Sequence, residues 1–212
     1  MSVVGIVPAG GSGERLGAGK PKAFVLLGGR PMLEWSLEAL GAVCHRVVAA
    51  VPAGHEEAPD RVRGGASRSE SVLAALDAAP EASVAVVHDA ARPLVTPDLV
   101  RRCVDALDGV DGAFAAARVT DTVHKAGGDG LVSATPERSR LWAAQTPQVF
   151  RAEALRAALN ADPDRLAAAT DEVSLVAANG GSVRVVEMQE ENLKVTTALD
   201  LRMAESLLAS RA

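Results

Sequence analysis

The 212-residue sequence has no tyrosine, and its aromatic residues are three phenylalanines and two tryptophans, 2% of the chain. Proteins that hold single-stranded nucleic acid stack bases on aromatic side chains, so this composition argues against that class. The formal net charge of −5 gives no global attraction for a polyanion. Only two cysteines are present, Cys44 and Cys103, and their separation is not that of metal ligands. They read as reduced structural thiols. No apolar run approaches the roughly 20 residues of a membrane span. The first residues also lack the charged and apolar regions of a signal peptide. The expected location is the cytoplasm, with neither nucleic acid nor membrane as a partner.

What is present points to one α/β domain over residues 1–212, with 48% hydrophobic residues and enough chain for a substantial core. Its organising stretch is the start. Val3-Val4-Gly5-Ile6-Val7 is a short run rich in β-branched residues, as in a buried parallel strand. It empties into Pro8-Ala9-Gly10-Gly11-Ser12-Gly13-Glu14-Arg15-Leu16, then Gly19-Lys20-Pro21-Lys22. Glycines let backbone N–H groups approach phosphate oxygens, and Arg15, Lys20 and Lys22 add cations. The P-loop pattern fails because Pro21 follows Lys20 and Glu14 stands where its first glycine belongs. The dinucleotide fingerprint fails because Leu16 replaces its third glycine. The remaining pattern, PAGGxGxRLG followed by PK, resembles the loop of sugar-phosphate nucleotidyltransferases.

Downstream, the segment from Pro31 to Leu40 has proline at a helix start and helical apolar spacing. Strands are expected at 46–52, near Val62, at 83–87, near 112–119 and at 182–187. Helices are expected after Ser67, after Thr96, near 151–160 and 170–178, and from Ala198. The alternation implies a Rossmann-like, mainly parallel sheet flanked by helices. The segment 53–60 is too broken for a crossover helix. Residues 121–125 and 131–135, around a glycine-rich turn, read as a hairpin. Two strands alone are marginal in water, so this 120–140 β-arm is expected to pack on something else and to serve dimerisation.

Four loops carry polar groups: the first loop through Lys22, Gly64 to Ser71, His88-Asp89-Ala90-Ala91-Arg92-Pro93, and Glu191 to Thr196. With Trp142 through Thr146-Pro147-Gln148 and Thr170-Asp171-Glu172, the chain resembles the 2-C-methyl-D-erythritol 4-phosphate cytidylyltransferase family nearly end to end. The resemblance implies transfer of CMP from CTP to methylerythritol phosphate in non-mevalonate isoprenoid precursor synthesis. It implies that Ala9, Gly10 and Gly11 line the nucleotide, that Arg15, Lys22 and Lys194 hold the triphosphate and act in catalysis, and that Gly65 and Ser71 read cytosine. Asp89 matches the acid beside the ribose and a Mg²⁺ or other divalent cation; Arg68 matches a motif arginine. Arg92, Thr122, Arg138 and Thr146 match residues of the acceptor phosphate site, with Thr122 and Arg138 reaching across a homodimer. Ala66 stands where the family commonly has an acid, and Ala23 where it has glutamine. Two alternatives remain open at this stage: a cytidylyltransferase for ribitol 5-phosphate or another polyol phosphate, and a non-catalytic nucleotide-binding module.

Overall fold

The computed structural model describes residues 1–11, 13–16, 19–160 and 163–211, without the side chains of Arg15, Pro163, Asp164 and Ala167. Seven strands make the central sheet: β1 (Val3–Pro8), β2 (Arg46–Val51), β3 (Arg61–Arg63), β4 (Val84–Val87), β5 (Gly112–Arg118), β6 (Trp142–Arg151) and β7 (Val183–Glu187). Their spatial order is β7-β5-β6-β4-β1-β2-β3. β1 pairs in parallel with β2 and β4, β2 with β3, and β5 with β7. The sheet is therefore mainly parallel, as expected, and residues 53–60 form no helix.

The exception is β6, which runs antiparallel to both β4 and β5. Sequence reading places no strand there, because Thr146-Pro147 interrupts it and proline cannot donate to a ladder. The structure solves this with an irregularity: the register with β5 shifts between Ala144 and Gln148, so Pro147 sits where no ladder N–H is needed.

Alternation along the strands divides the core between the two faces. Val3, Val7, Val86 and Val149 belong to one buried cluster with Leu33 and Leu40 of α1 (Met32–Gly41) and Leu99 and Cys103 of α3 (Pro97–Asp105). Val4, Ile6, Val87 and Phe150 belong to the other. Its helical partners include Val72 and Leu76 of α2 (Arg68–Asp77), Leu155 of α4 (Ala152–Leu159) and Leu175 of α6 (Glu172–Ala178). Both cysteines are buried, and that burial pushes each thiol up to about 12, as inert structural thiols require. The six-residue helix α5 (Pro163–Ala168) was not expected; it is too short to show a period.

The arm is less regular than the expected hairpin. Only Lys125–Ala126 and Val132–Ala134 pair, and Leu131 and Val132 remain 71% and 62% exposed. With no surface beneath it in the single chain, the arm has nothing to extend its pairing against.

Candidate active site

The connections leave β1 toward β2 on one side, while β4 lies on the other. This is a topological switch point, the place where open α/β sheets hold ligands. Two cavities open there.

The first, of about 330 Å³, is lined by Ala9, Gly10 and Gly11 from the β1 loop, by Gly65 to Arg68 and Ser71, by Asp89, and by Lys22 and Lys194. Its size lies within the range of small-molecule sites. The β1 loop folds back so that Lys22 N–H donates to Gly11 O at 3.0 Å. Gly13 makes that possible: its φ is +77°, and an added Cβ would stand 2.9 Å from Lys20 O. Lys22 opens a short 3₁₀ turn, Lys22–Phe24, at the end of that folded-back loop and lines the cavity. Ala9 N–H is committed to Ala50 O at 2.8 Å, so any contact from Ala9 to a nucleotide uses another of its atoms.

Ser67 caps α2, its hydroxyl accepting Glu70 N–H at 3.1 Å, which turns the positive end of the helix toward this cavity. The Ser71 hydroxyl accepts Gly65 N–H at 3.1 Å and donates to Ser67 O at 2.9 Å. Its proton is spent shaping the Gly64–Ser67 loop.

The second cavity, of about 200 Å³, is lined by Arg92, Gln145, Thr146, Gln148, Thr170 and Asp171, and it shares Arg68, Asp89 and Lys194 with the first. Those three side chains form the junction. Asp89 Oδ2 lies 2.7 Å from Lys194 Nζ, and Oδ1 lies 3.1 Å from Arg68 Nε. Burial opposes charge on Asp89, but Arg68 and Lys194 outweigh it and hold the carboxyl well below the usual range. Arg68 also pairs with the fully buried Glu172. Arg92 donates to Gln145 Oε1 and to Asn192 O, each at 2.7 Å.

The position of Lys194 comes from the chain's end. Val195 is fully buried in a third cluster with Leu27, Met32 and Leu94, and its N–H donates to Ala91 O at 2.8 Å. Asp200, near the start of α7 (Ala198–Arg211), accepts Thr196 and Thr197 N–H at 2.9 and 2.8 Å. The Thr196 hydroxyl and these backbone groups hold its carboxyl down at about 2.

His88 has no exposed surface. Its Nε2–H donates to Arg92 O at 3.1 Å, which makes Nδ1 the acceptor of the Thr146 hydroxyl proton at 3.0 Å. Thr146 Oγ1 in turn accepts Asp89 N–H at 3.1 Å. Thr146 thus cannot also donate to a phosphate in this arrangement; it ties the β4 loop to β6. Burial drives the His88 pKa down to about 4. The unfolded chain takes up this proton first, so stability should fall as pH drops from about 6.5 to about 4, by up to ~3 kcal/mol. Urea midpoints for wild type and His88→Gln should therefore converge across that window. A difference that stays constant with pH would refute a neutral buried His88.

Of the residues singled out from sequence, Ala9, Gly10, Gly11, Lys22, Gly65, Ser71, Asp89 and Lys194 meet at the first cavity, and Arg92 and Thr146 at the second. The Arg15 side chain lies outside the described residues. Thr122 and Arg138 line neither cavity. Thr122 is exposed, and Arg138 donates to Thr120 O at 2.7 Å beside Arg118, at the base of the arm. Trp142 packs there against Arg118, whose guanidinium carbon is 4.0 Å from the ring centroid. Gln148 and Glu172 stand in the Thr146-Pro147-Gln148 and Thr170-Asp171-Glu172 stretches, where residue type alone assigns neither a role. The discoverable signal for Gln148 was an amide directly before the apolar pair Val149-Phe150.

A mainly parallel sheet flanked by helices, with a glycine loop and cations at its switch point, defines a Rossmann-like nucleotidyltransferase of the nucleotide-diphospho-sugar transferase type. The family model of IspD, 2-C-methyl-D-erythritol 4-phosphate cytidylyltransferase, matches residues 3–210, and the chain belongs to that family. It is 45% identical to the enzyme of that name from Nocardia farcinica, over 100% of this chain and 96% of the relative. It is 42% identical to that from Symbiobacterium thermophilum, over 98% and 93%. The crystal structure of the cytidylyltransferase from Thermus thermophilus superposes with a TM-score of 0.83 at 34% identity, covering 99% of this chain and 100% of that one.

Proposed function

We propose that the protein transfers CMP from CTP to 2-C-methyl-D-erythritol 4-phosphate, giving 4-diphosphocytidyl-2-C-methyl-D-erythritol and pyrophosphate in non-mevalonate isoprenoid precursor biosynthesis. Family membership supports this reading. The observation that carries it is the pair of cavities joined at Asp89, Arg68 and Lys194, one for each substrate.

In the first cavity the backbone of Ala9 to Gly11 lines the nucleotide, and Arg15, Lys22 and Lys194 neutralise the triphosphate. Gly65 and its neighbours read cytosine, with Ser71 holding that loop in shape. In the second cavity Arg92 faces the acceptor phosphate, and Thr146 fixes the wall. Thr122 and Arg138 come from the second subunit of a homodimer whose contact is the arm. Leu131 and Val132, exposed in one chain, are suited to such a contact. The cytoplasm is the proposed location; among the described residues no helix is long and apolar enough to cross a membrane.

A phosphate monoester has its second pKa near 6, so the acceptor is largely a dianion at neutral pH and needs no general base. Its oxygen attacks the α-phosphorus, the bond from that phosphorus to the bridging oxygen breaks, and pyrophosphate leaves with the electron pair. The obstacle is repulsion between anions. Preorganised cations at the α-phosphate and the leaving group lower it.

Both Asp89 oxygens already face cations, and no group of three or more metal-ligating side chains converges among the described residues. That donor set fits a Mg²⁺ carried mainly by the triphosphate, with Asp89 as its one protein carboxylate. When bound, the metal would neutralise phosphate charge.

A pyrophosphate-release assay over four nucleoside triphosphates and several polyol phosphates tests the assignment. CTP with methylerythritol phosphate should give the highest kcat/KM. Equal turnover with ribitol 5-phosphate, or a preference for ATP or GTP, would sink it.

A further inference from the structure

Gln148 sits inside the sheet, opposite Val87 of β4 and Phe114 of β5, and is 2% exposed. It points to the face that buries Phe150, where an apolar side chain would pack more readily. Its orientation is settled by its neighbours. The amide nitrogen donates to Gln145 O and to Asp171 Oδ2, each at 3.3 Å. Neither of those groups can donate, so the amide cannot be flipped. Asp171 is itself fixed, because its other oxygen caps α6 by accepting Ser174 N–H at 3.0 Å. The result is a rigid chain from the helix cap to the cavity wall.

At its end, Gln148 Oε1 is buried and meets no donor among the described residues, although Gln148 lines the second cavity. Arg92, which lines the same cavity, likewise has its Nε buried without an acceptor in hydrogen-bond range; Asp89 Oδ2 is 4.0 Å away. An unmatched acceptor and an unmatched donor, both buried and both carried by side chains that line one small cavity, suit a ligand whose groups both donate and accept, which describes a hydroxyl. A buried carbonyl oxygen without a donor is costly, and such a cost persists where the missing partner arrives with the ligand.

We propose that Gln148 Oε1 accepts a hydrogen bond from a hydroxyl of the polyol phosphate, making Gln148 a specificity residue for the acceptor substrate. The inference rests on the second cavity being the acceptor subsite, as proposed above. A site built to pair a hydroxyl rejects analogues that lack it, because the protein group is then left unmatched.

The test combines Gln148→Met with a set of methylerythritol phosphate analogues, each missing one hydroxyl. In wild type, one analogue should lose about tenfold in kcat/KM. Gln148→Met should lose about as much on the full substrate and nothing further on that analogue, with KM for CTP unchanged. Equal penalties on every analogue in both proteins, or an equal rise in KM for CTP, would overturn the proposal. Should Gln148→Met not fold, the side-chain amide resonances of Gln148 in the wild-type chain decide. They should shift on adding methylerythritol phosphate with CTP and stay put with the one discriminating analogue. Identical spectra for both ligands go against it. A wild type that ignores methylerythritol phosphate overturns the functional reading itself, whereas normal turnover without this coupling overturns only the role of Gln148.

Discussion

Lys194→Ala should lower kcat by about 10²–10³, the scale for deleting one preorganised charge contact at a transition state. Its ammonium stands 2.7 Å from Asp89 Oδ2, at the junction of the two cavities, where a reacting phosphate would meet both substrates. The fold should survive the change. The Lys194 side chain is 45% exposed, Asp89 keeps its pairing with Arg68, and the segment remains anchored by the buried Val195. Lys22→Ala should behave similarly, because the backbone bond from residue 22 to Gly11 O does not depend on the side chain. Steady-state kinetics separate the possibilities. A variant with near-normal kcat and only a raised KM would show that its lysine binds substrate and transition state equally.

An equally large effect is expected from mixing two dead proteins. If Arg138 completes the site of the neighbouring protomer, Lys22→Ala and Arg138→Ala chains should each be inactive and should rescue one another. Random exchange in a two-fold dimer makes half the molecules mixed, and each mixed dimer carries one intact site, so about a quarter of wild-type activity should return. The geometry motivates the test. Arg138 is held by Thr120 O at the root of the exposed arm and lines neither cavity of its own chain. A mixture that stays inactive after verified subunit exchange, or an active monomer in sedimentation, would place Arg138 within its own chain's chemistry instead.

Much of the scaffold was legible because the signals were local. Thr96-Pro97-Asp98 marked the start of α3, and the Thr96 hydroxyl does accept Leu99 N–H at 3.2 Å. The Val3–Pro8 run, the Gly10–Gly13 loop and the four polar loops were recognisable from residue type and spacing. The strand β6 was not. Its proline and its weakly apolar first half look like a loop, and only pairing with strands on both sides makes ten residues extended. The expected hairpin is present but short: Lys125–Ala126 and Val132–Ala134 pair antiparallel, over fewer residues than the alternation promised.

Sequence by itself determined the parallel α/β alternation, the glycine loop and its cations, and the family, since each follows from residue types at short separations. Tertiary structure decided which polar groups remain available to a ligand. The proton of Thr146 belongs to His88, and that of Ser71 to Ser67 O. Asp89 is shared between Lys194 and Arg68, whereas Gln148 Oε1 is left unmatched among the described residues. Residues 88, 146 and 192 are far apart along the chain, and their hydrogen bonds exist only once β4, β6 and the segment before α7 are packed together. A hydroxyl or amide has few bonds to give, so what it does for a substrate depends on which partners the fold has already assigned to it.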